Sequence, residues 1–157
     1  MRLTDLLTPE RVAIRHNDSS HALDKPGVIH ALAEMLTVGT SADSSQVERV
    51  LSEREQLQST GIGEGVAIPH GALQHLETQY AALLIVPEGV DFAAIDGLAV
   101  NILFAVIGPK RATGEHLKTL ARVSRLLRNK AFRDRLVGAP TAQATYDLIA
   151  TEEAERP

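Results

Sequence analysis

Two uninterrupted apolar runs constrain the fold of this chain more than any other feature of its sequence. They read AALLIVP at residues 81–87 and VNILFAVI at residues 100–107. Each run has the length of a β-strand and is too short to cross a lipid bilayer. Because polar residues do not alternate with apolar ones within them, both faces of these strands need cover from other elements. The runs therefore predict a central sheet with helices on both faces.

The segments around these runs carry helical patterns that would supply the cover. A helix start at Asp24, Lys25 and Pro26 precedes an apolar stripe, and Ser45 with Glu48 forms a capping-box pattern before a second stripe. Three further helical patterns follow from about Thr113. No helix is predicted between residues 60 and 107, so the strands there need not all be parallel. The pattern is typical of a three-layer α/β domain.

Length and composition narrow the class of protein. The chain has 157 residues and no cysteine, which excludes disulfides and thiolate metal sites and fits a cytoplasmic location. The N-terminal residues lack the apolar core of a signal peptide, and no membrane insertion is expected. We expect one domain over residues 1–150 and a frayed, charged tail over residues 151–157.

One basic segment leaves a non-catalytic function open. Residues 110–135 carry nine Lys/Arg and two Asp/Glu, although the net charge of the whole chain is −4. Such a segment can contact a nucleic acid or an acidic partner. Aromatic residues make up only 3% of the chain, which disfavours a platform for base stacking. We favour a solvated helix face, with Lys118, Arg122 and Arg125 on one side, and expect no nucleic-acid binding.

The stretch TGIGEGVAIPHGAL, residues 60–73, holds the candidate chemistry. A Rossmann loop would need glycine where Val66 stands, and a P-loop would need a Lys-Ser/Thr pair that is absent. A metal site that combined His70 with His75 or His116 would have no further specified ligand, and we expect no metal or cofactor. The third interpretation is a nucleophilic histidine on a rigid support.

Each neighbour of His70 suits that third interpretation. Pro69 fixes its own φ and pushes Ile68 into extended geometry, which ends the strand and holds the histidine backbone. Gly71 has no Cβ, so the backbone can turn sharply or approach an anion closely. A neutral imidazole is nucleophilic near pH 7 without a separate base. Phosphoryl transfer requires mainly positioning and charge stabilisation, which makes it the reaction best suited to such a histidine.

The residues REQLQSTGIGEGVAIPHG closely resemble the signature of the EIIA components of the bacterial phosphotransferase system, in its fructose/mannitol/nitrogen branch. The similarity continues through FAAIDGLAVNILFAVIGP and GEHLKTLARVSRLL, and it runs from about Leu3 to Ala150. The resemblance implies a mixed sheet of about five strands between helical layers. It also implies a phosphocarrier.

The resemblance assigns roles to three residues. His70 would accept a phosphoryl group through Nε2 from the phosphohistidine of HPr or of its nitrogen-branch counterpart NPr. His116 matches the second active-site histidine, and Arg54 matches the arginine near the phosphohistidine. Taken alone, His116 could be a surface histidine, and Arg54 could pair with a neighbouring glutamate. Ala72 stands where nitrogen-branch members often carry lysine.

The same resemblance favours a regulatory function of the nitrogen-branch type, in which phosphorylation changes which target proteins bind. The mechanism expected for this switch is new charge on a surface that is apolar around Val66 and Ile68. A sugar-specific EIIA that passes phosphate to a cysteine of an EIIB domain is the alternative within the family. Four histidines receive no role: His16, His21, His30 and His75. The pattern does not predict the oligomeric state.

Overall fold

A six-stranded mixed sheet lies between helical layers in the computed structural model, which describes residues 2–155. This confirms the three-layer α/β class, with six strands where about five were expected. The strands are β1 (Val12–Ile14), β2 (Gly61–Gly63), β3 (Val66–Ala67), β4 (His70–Leu73), β5 (Tyr80–Val90) and β6 (Val100–Pro109). The helices are α1 (Leu3–Leu6), α2 (Lys25–Leu36), α3 (Ser44–Leu57), α4 (Thr113–Leu126), α5 (Lys130–Val137) and α6 (Ala142–Glu155).

Strand β6 organises the sheet, because three other strands pair with it. The order is β1-β5-β6-β3-β2, and β5 runs antiparallel to β6. β3 and β4 both lie parallel to β6 on its other side, one after the other. Val66 pairs with Ile102, and His70 pairs with Val106 further along the same strand. The chain from β3 to β4 therefore follows one straight edge of β6.

The apolar runs are covered on both faces, as their composition predicts. Over residues 81–86 of β5, alternate side chains enter two separate cores, and all six are fully buried. Ala82, Leu84 and Val86 face the core beneath α2 and α3, whereas Ala81, Leu83 and Ile85 face the core beneath α1, α4, α5 and α6. Since successive side chains of a strand point to opposite faces, a run of apolar residues is stable only with a helical layer on each side.

The two helix starts predicted from capping patterns have different outcomes. α2 begins as expected, with the Asp24 carboxylate accepting the N–H of Gly27 at 2.8 Å. The start predicted at Ser45 is wrong by two residues. Asp43 is the N-cap of α3 and accepts the N–H of Ser45 at 2.9 Å, while Glu48 bonds His30 instead. Asp43 offers a carboxylate two residues earlier, and carboxylates are strong N-caps.

The frayed tail expected over residues 151–157 is wrong for residues 151–155, which continue α6. The Glu153 carboxylate accepts the N–H groups of Leu3 at 2.7 Å and Thr4 at 3.1 Å, at the free N-terminal end of α1. Burial of this carboxylate is stabilised by those bonds and by the positive end of α1. Residues 156–157 lie outside the described residues. Within residues 2–155, no helix is long and apolar enough to span a bilayer.

Candidate functional site

His70 is the first residue of β4 and sits directly after the short interruption between β3 and β4. Proline at position 69 donates no hydrogen bond, but its carbonyl accepts the N–H of Val106 at 2.9 Å. The N–H of Ile68 is bonded to the carbonyl of Thr60 at 3.0 Å. These two bonds fix the backbone on either side of the Ile68-Pro69 peptide. His70 is thereby held, half-buried, on the edge of the central strand β6.

Gly71 is required by helix packing and does not form a turn. It lies inside β4, with an extended backbone, so the sharp turn allowed for in the sequence is absent. A Cβ on Gly71 would lie 2.2 Å from Cγ1 of Val50 on α3. Only glycine allows α3 to pack this closely on β4. This close contact brings the last turn of α3, with Arg54, towards His70.

The hydrogen bond of His70 determines which of its nitrogens is reactive. Nδ1 lies 2.7 Å from the carbonyl oxygen of Ile68. A carbonyl oxygen can only accept, so Nδ1 carries the proton and Nε2 holds the lone pair of the neutral ring. No described residue hydrogen-bonds Nε2. The tautomer is therefore that of an Nε2 nucleophile.

Burial keeps this imidazole neutral. Desolvation is the largest influence and lowers the pKa of His70 below its ordinary value of 6.5. The bond to Ile68 opposes that effect, because it favours the protonated ring, and the positive charge of Arg54 lowers the pKa further. Glu55 raises it, as the weakest of these influences. The lone pair on Nε2 is consequently available at neutral pH.

His116 lies beside His70, as the two predicted roles require. Its position in the first turn of α4 brings the ring centroids to 5.7 Å, with the ring planes tilted by 54°. Burial lowers the pKa of His116, and the neighbouring His70 lowers it further. Nδ1 of His116 is buried without a hydrogen-bond partner among the described residues. Two neutral imidazoles thus share one partly desolvated site.

Arg54 is the third predicted residue, and it too lies close enough to act on His70. It occupies the last turn of α3, half-buried, and its Nη1 donates to the carbonyl of Gln58 at 2.8 Å. Its neighbours in sequence have other partners, because Glu53 faces Arg49 and Glu55 pairs with Lys25. Arg54 therefore offers a guanidinium, not neutralised by Glu53 or Glu55, beside a nucleophilic histidine and a second histidine.

Comparison with known proteins identifies the family. The family model described as "Phosphoenolpyruvate-dependent sugar phosphotransferase system, EIIA 2" matches residues 6–152. The chain belongs to this EIIA family. The nitrogen regulatory protein of Bradyrhizobium diazoefficiens is similar to this EIIA domain, with 36% identity over 156 residues, 98% of each protein.

A sugar-specific relative and a solved structure also match this EIIA domain. The mannitol-specific phosphotransferase enzyme IIA component of Staphylococcus aureus is 31% identical over 142 residues, 88% of each chain. The crystal structure of the nitrogen regulatory protein IIA-Ntr from Neisseria meningitidis matches with a TM-score of 0.84 and 28% identity. That match covers 94% of this chain and 98% of the other. The resemblance seen in the sequence and the fold class are both confirmed.

Sequence reasoning missed Glu55, which is buried at the edge of the site of this EIIA domain. Its carboxylate accepts the N–H of Thr60 at 3.0 Å and also the Thr60 hydroxyl, and it pairs with Nζ of Lys25 at 2.8 Å. These contacts fix the start of the glycine-rich stretch against α3. The signal was available in the sequence, because position 55 continues the apolar spacing of Val47 and Leu51 on one helix face.

The glycines of the stretch form a tight turn between β2 and β3. Gly63 (φ +100°), Glu64 (φ +58°) and Gly65 (φ +82°) all adopt left-handed backbone conformations. Glycine tolerates this region without the steric cost that other residues incur. Glu64 is a turn residue, and its carboxylate pairs with Arg133 at 2.7 Å. The glycine spacing thus has a structural cause and indicates no nucleotide.

The other sequence expectations for this region have mixed outcomes. The expectation of an apolar surface around Val66 and Ile68 is wrong, because both side chains are buried in the core. His16 pairs with the carboxylate of Glu88, and His30 pairs with those of Glu34 and Glu48. Among residues 2–155, no group of three or more His, Asp or Glu side chains is arranged to hold a metal ion.

Proposed function

We propose that this EIIA domain is a phosphocarrier, which accepts a phosphoryl group on Nε2 of His70 from a phosphohistidine of HPr or NPr. The observation that supports the proposal most directly is the hydrogen bond from Nδ1 of His70 to the Ile68 carbonyl. This bond leaves the lone pair on Nε2, on a ring whose pKa is lowered by burial. The nucleophile needs no general base, because Nε2 has no proton to lose.

The transfer step balances without a cofactor. The Nε2 lone pair of His70 attacks the donor phosphorus, and an N–P bond forms at His70. The N–P bond of the donor breaks, and its electron pair returns to the donor imidazole nitrogen. Nδ1 of His70 keeps its proton throughout and continues to donate to Ile68. The step is therefore a direct exchange between two imidazoles, which depends on positioning and on stabilisation of the phosphoryl charge.

His116 and Arg54 would provide that stabilisation. The guanidinium of Arg54 is planar and permanently charged, so it can bind two phosphoryl oxygens at once. His116 would donate from Nε2, its other ring nitrogen, and it stands near the N-terminal end of α4, where the helix dipole favours an anion. Neither residue would carry the phosphate itself.

We propose that phosphorylation then regulates partner binding, as the name of the Bradyrhizobium relative suggests. A phosphohistidine adds roughly −1.5 to −2 charge, by analogy with other phosphorylated side chains. A partner that contacts the unmodified site would have to desolvate this charge and would dissociate. Exposed apolar side chains lie nearby in the sequence, at Leu57 after Arg54 and at Ile62 in β2. The switch would require a change of local charge and no refolding.

Phosphate transfer to an EIIB cysteine is the second candidate function. It is favoured by the similarity to the mannitol-specific enzyme IIA component, whose name states a transport function. Both candidates use the same His70 chemistry and differ only in the acceptor. The experiment must therefore test the phosphorylated histidine first and its partner afterwards.

The first stage is phosphorylation with phosphoenolpyruvate, Enzyme I and either HPr or NPr. We expect one acid-labile, base-stable phosphate per chain for the parent protein and for the control His75→Ala, which changes an exposed histidine. His70→Ala should remain unlabelled. If His70→Ala is labelled as well as the parent protein, the assignment of the acceptor is wrong.

The second stage compares proteins captured from the source cell extract by the phosphorylated parent, the unphosphorylated parent and His70→Ala. A kinase, transporter or transcription factor that binds only one phosphorylation state supports regulation. If the only His70-dependent partner is an EIIB domain whose cysteine becomes phosphorylated, the sugar-transport candidate is correct and the regulatory proposal is wrong.

A further inference from the structure

Two buried polar atoms close to the site lack hydrogen-bond partners. Among residues 2–155, three buried side-chain atoms have none: Oε2 of Glu55, Oε1 of Gln79 and Nδ1 of His116. Oε2 of Glu55 lies 2.8 Å from Nζ of Lys25 and is therefore paired with a charge. The amide oxygen of Gln79 and the imidazole nitrogen of His116 remain. A buried polar atom without a partner is destabilising, so such atoms often mark a functional requirement.

The two atoms belong to side chains that face the same glycine. A Cβ on Gly108 would lie 3.2 Å from Nδ1 of His116 and 3.2 Å from Cγ of Gln79. Gln79 directly precedes β5, and the pairing of Tyr80 with Ile107 places it at the level of Gly108 on β6. Gln79 is only 3% exposed, so solvent cannot readily satisfy its amide. The missing side chain of Gly108 leaves space beside both Gln79 and Nδ1 of His116.

We propose that Gln79 is a positioning residue, whose side-chain amide hydrogen-bonds Nδ1 of His116 and keeps a proton on Nε2 of that ring. The inference rests on the proposed phosphoryl transfer, in which Nε2 of His116 donates to the phosphoryl group. Nδ1 is the buried nitrogen of His116, so Nε2 is the nitrogen left for the phosphate. A neutral imidazole has one proton, and the partner of Nδ1 determines where that proton resides.

Glutamine suits this task because an amide can both donate and accept. Its NH₂ group can donate to Nδ1 of the neutral ring, which places the single proton on Nε2. If the phosphoryl dianion causes His116 to become protonated, the amide can rotate so that Oε1 accepts from Nδ1–H. Nε2 keeps its proton in both states. A carboxylate could only accept, and it would draw the proton of the neutral ring to Nδ1.

The test measures the tautomer of His116 by ¹⁵N NMR in the unphosphorylated protein, above the pKa of the ring. We expect Nε2–H in the parent protein and Nδ1–H in Gln79→Glu. Gln74→Glu, which changes an exposed glutamine nearby, should leave the parent tautomer in place. If Gln79→Glu does not fold, Gln79→Leu replaces it, and the Nδ1 signal should move to that of an unbonded nitrogen.

A second measurement links the tautomer to function. Gln79→Glu should slow phosphoryl acceptance by about 100-fold, the loss typical when one donor to a developing charge is removed. His116→Ala should show a loss of similar size, and Gln74→Glu should show none. The inference is overturned if the His116 Nδ1 signal is unchanged in the folded Gln79 variant. The tautomer is measured without any phosphate donor, so this result stands even if His70 proves not to be the acceptor.

Discussion

At the scale of single residues, four histidines of this EIIA domain differ in pKa because their surroundings differ. Burial is the largest influence on His70 and His116, and it lowers the pKa of each below 6.5. His16 and His30 are exposed, and the hydrogen bonds that they donate to Glu88 and Glu48 raise the pKa of each above 6.5. The site histidines are thus neutral at pH 7, which preserves the Nε2 lone pair that phosphoryl transfer requires.

An NMR titration of the four histidines tests this difference in pKa. We expect midpoints below 6.5 for His70 and His116 and above 6.5 for His16 and His30. Arg54→Gln should raise the midpoint of His70, because the guanidinium charge disfavours protonation of the ring.

Arg49→Gln is the matched control, since Arg49 is exposed and faces Glu53. It should leave the His70 midpoint unchanged. A His70 midpoint that does not move in Arg54→Gln would contradict the proximity of the two groups.

The lowered pKa values of His70 and His116 also mean that the unfolded chain binds more protons below pH 6.5. The contribution of His70 and His116 to stability is therefore present above pH 6.5 and decreases as the pH falls through their folded-state pKa values.

Secondary-structure elements place the site through one close contact, between α3 and β4 at Gly71. Gly71→Ala introduces a Cβ that would lie 2.2 Å from Cγ1 of Val50, so α3 must move away from the sheet. We expect the free energy of unfolding to fall by about 1–3 kcal/mol, as is typical of overpacking. Urea denaturation of the parent and the variant measures the change.

Gly114→Ala is the control for Gly71→Ala, because a Cβ on Gly114 in α4 would meet no atom within 4 Å. This control should stabilise the protein by up to about 1 kcal/mol through higher helix propensity. Val50→Ala added to Gly71→Ala should recover part of the loss by removing the clashing methyl group. Equal urea denaturation midpoints for Gly71→Ala and the parent protein would show that α3 does not limit the space above β4.

The molecule as a whole carries its charge unevenly, with a basic face on α4 and an acidic remainder. Lys118, Arg125 and Arg128 line a shallow groove of about 500 Å³, together with Arg122. Duplex DNA that contacts only this face would be held by a few phosphate contacts, which weaken steeply as salt increases. The acidic remainder of the chain would repel the rest of the duplex.

We therefore expect no retention of duplex DNA at physiological salt, about 150 mM. Fluorescence anisotropy with a labelled duplex, at about 50 mM and about 150 mM salt, measures the binding. Lys118→Glu with Arg125→Glu is the comparison, and it should remove any binding seen at low salt. Sequence-selective binding at physiological salt would contradict the expectation and favour a nucleic-acid partner.

Part of the candidate site could be predicted from a signal that is local in the sequence. The Pro69-His70-Gly71 element is visible as a short pattern, whereas the roles of His116 and Arg54 were predicted from the family resemblance. Gln79 carried no such pattern of function, since its proposed role depends on Gly108 and His116, which lie far away in the chain. Even Gly71, which was singled out, has its cause in Val50 on another element.

The sequence by itself determined that the central sheet of this protein lies between helical layers. An apolar run without alternation, such as residues 81–87, is stable only when helices cover both faces of its strand. The tertiary structure alone decided which groups meet, such as Glu153 with the start of α1 and Glu55 with Lys25. Hydrophobic periodicity is a property of neighbouring residues and can be seen in the chain. The partners of a buried polar group come from distant segments, and only packing of the whole molecule brings them together.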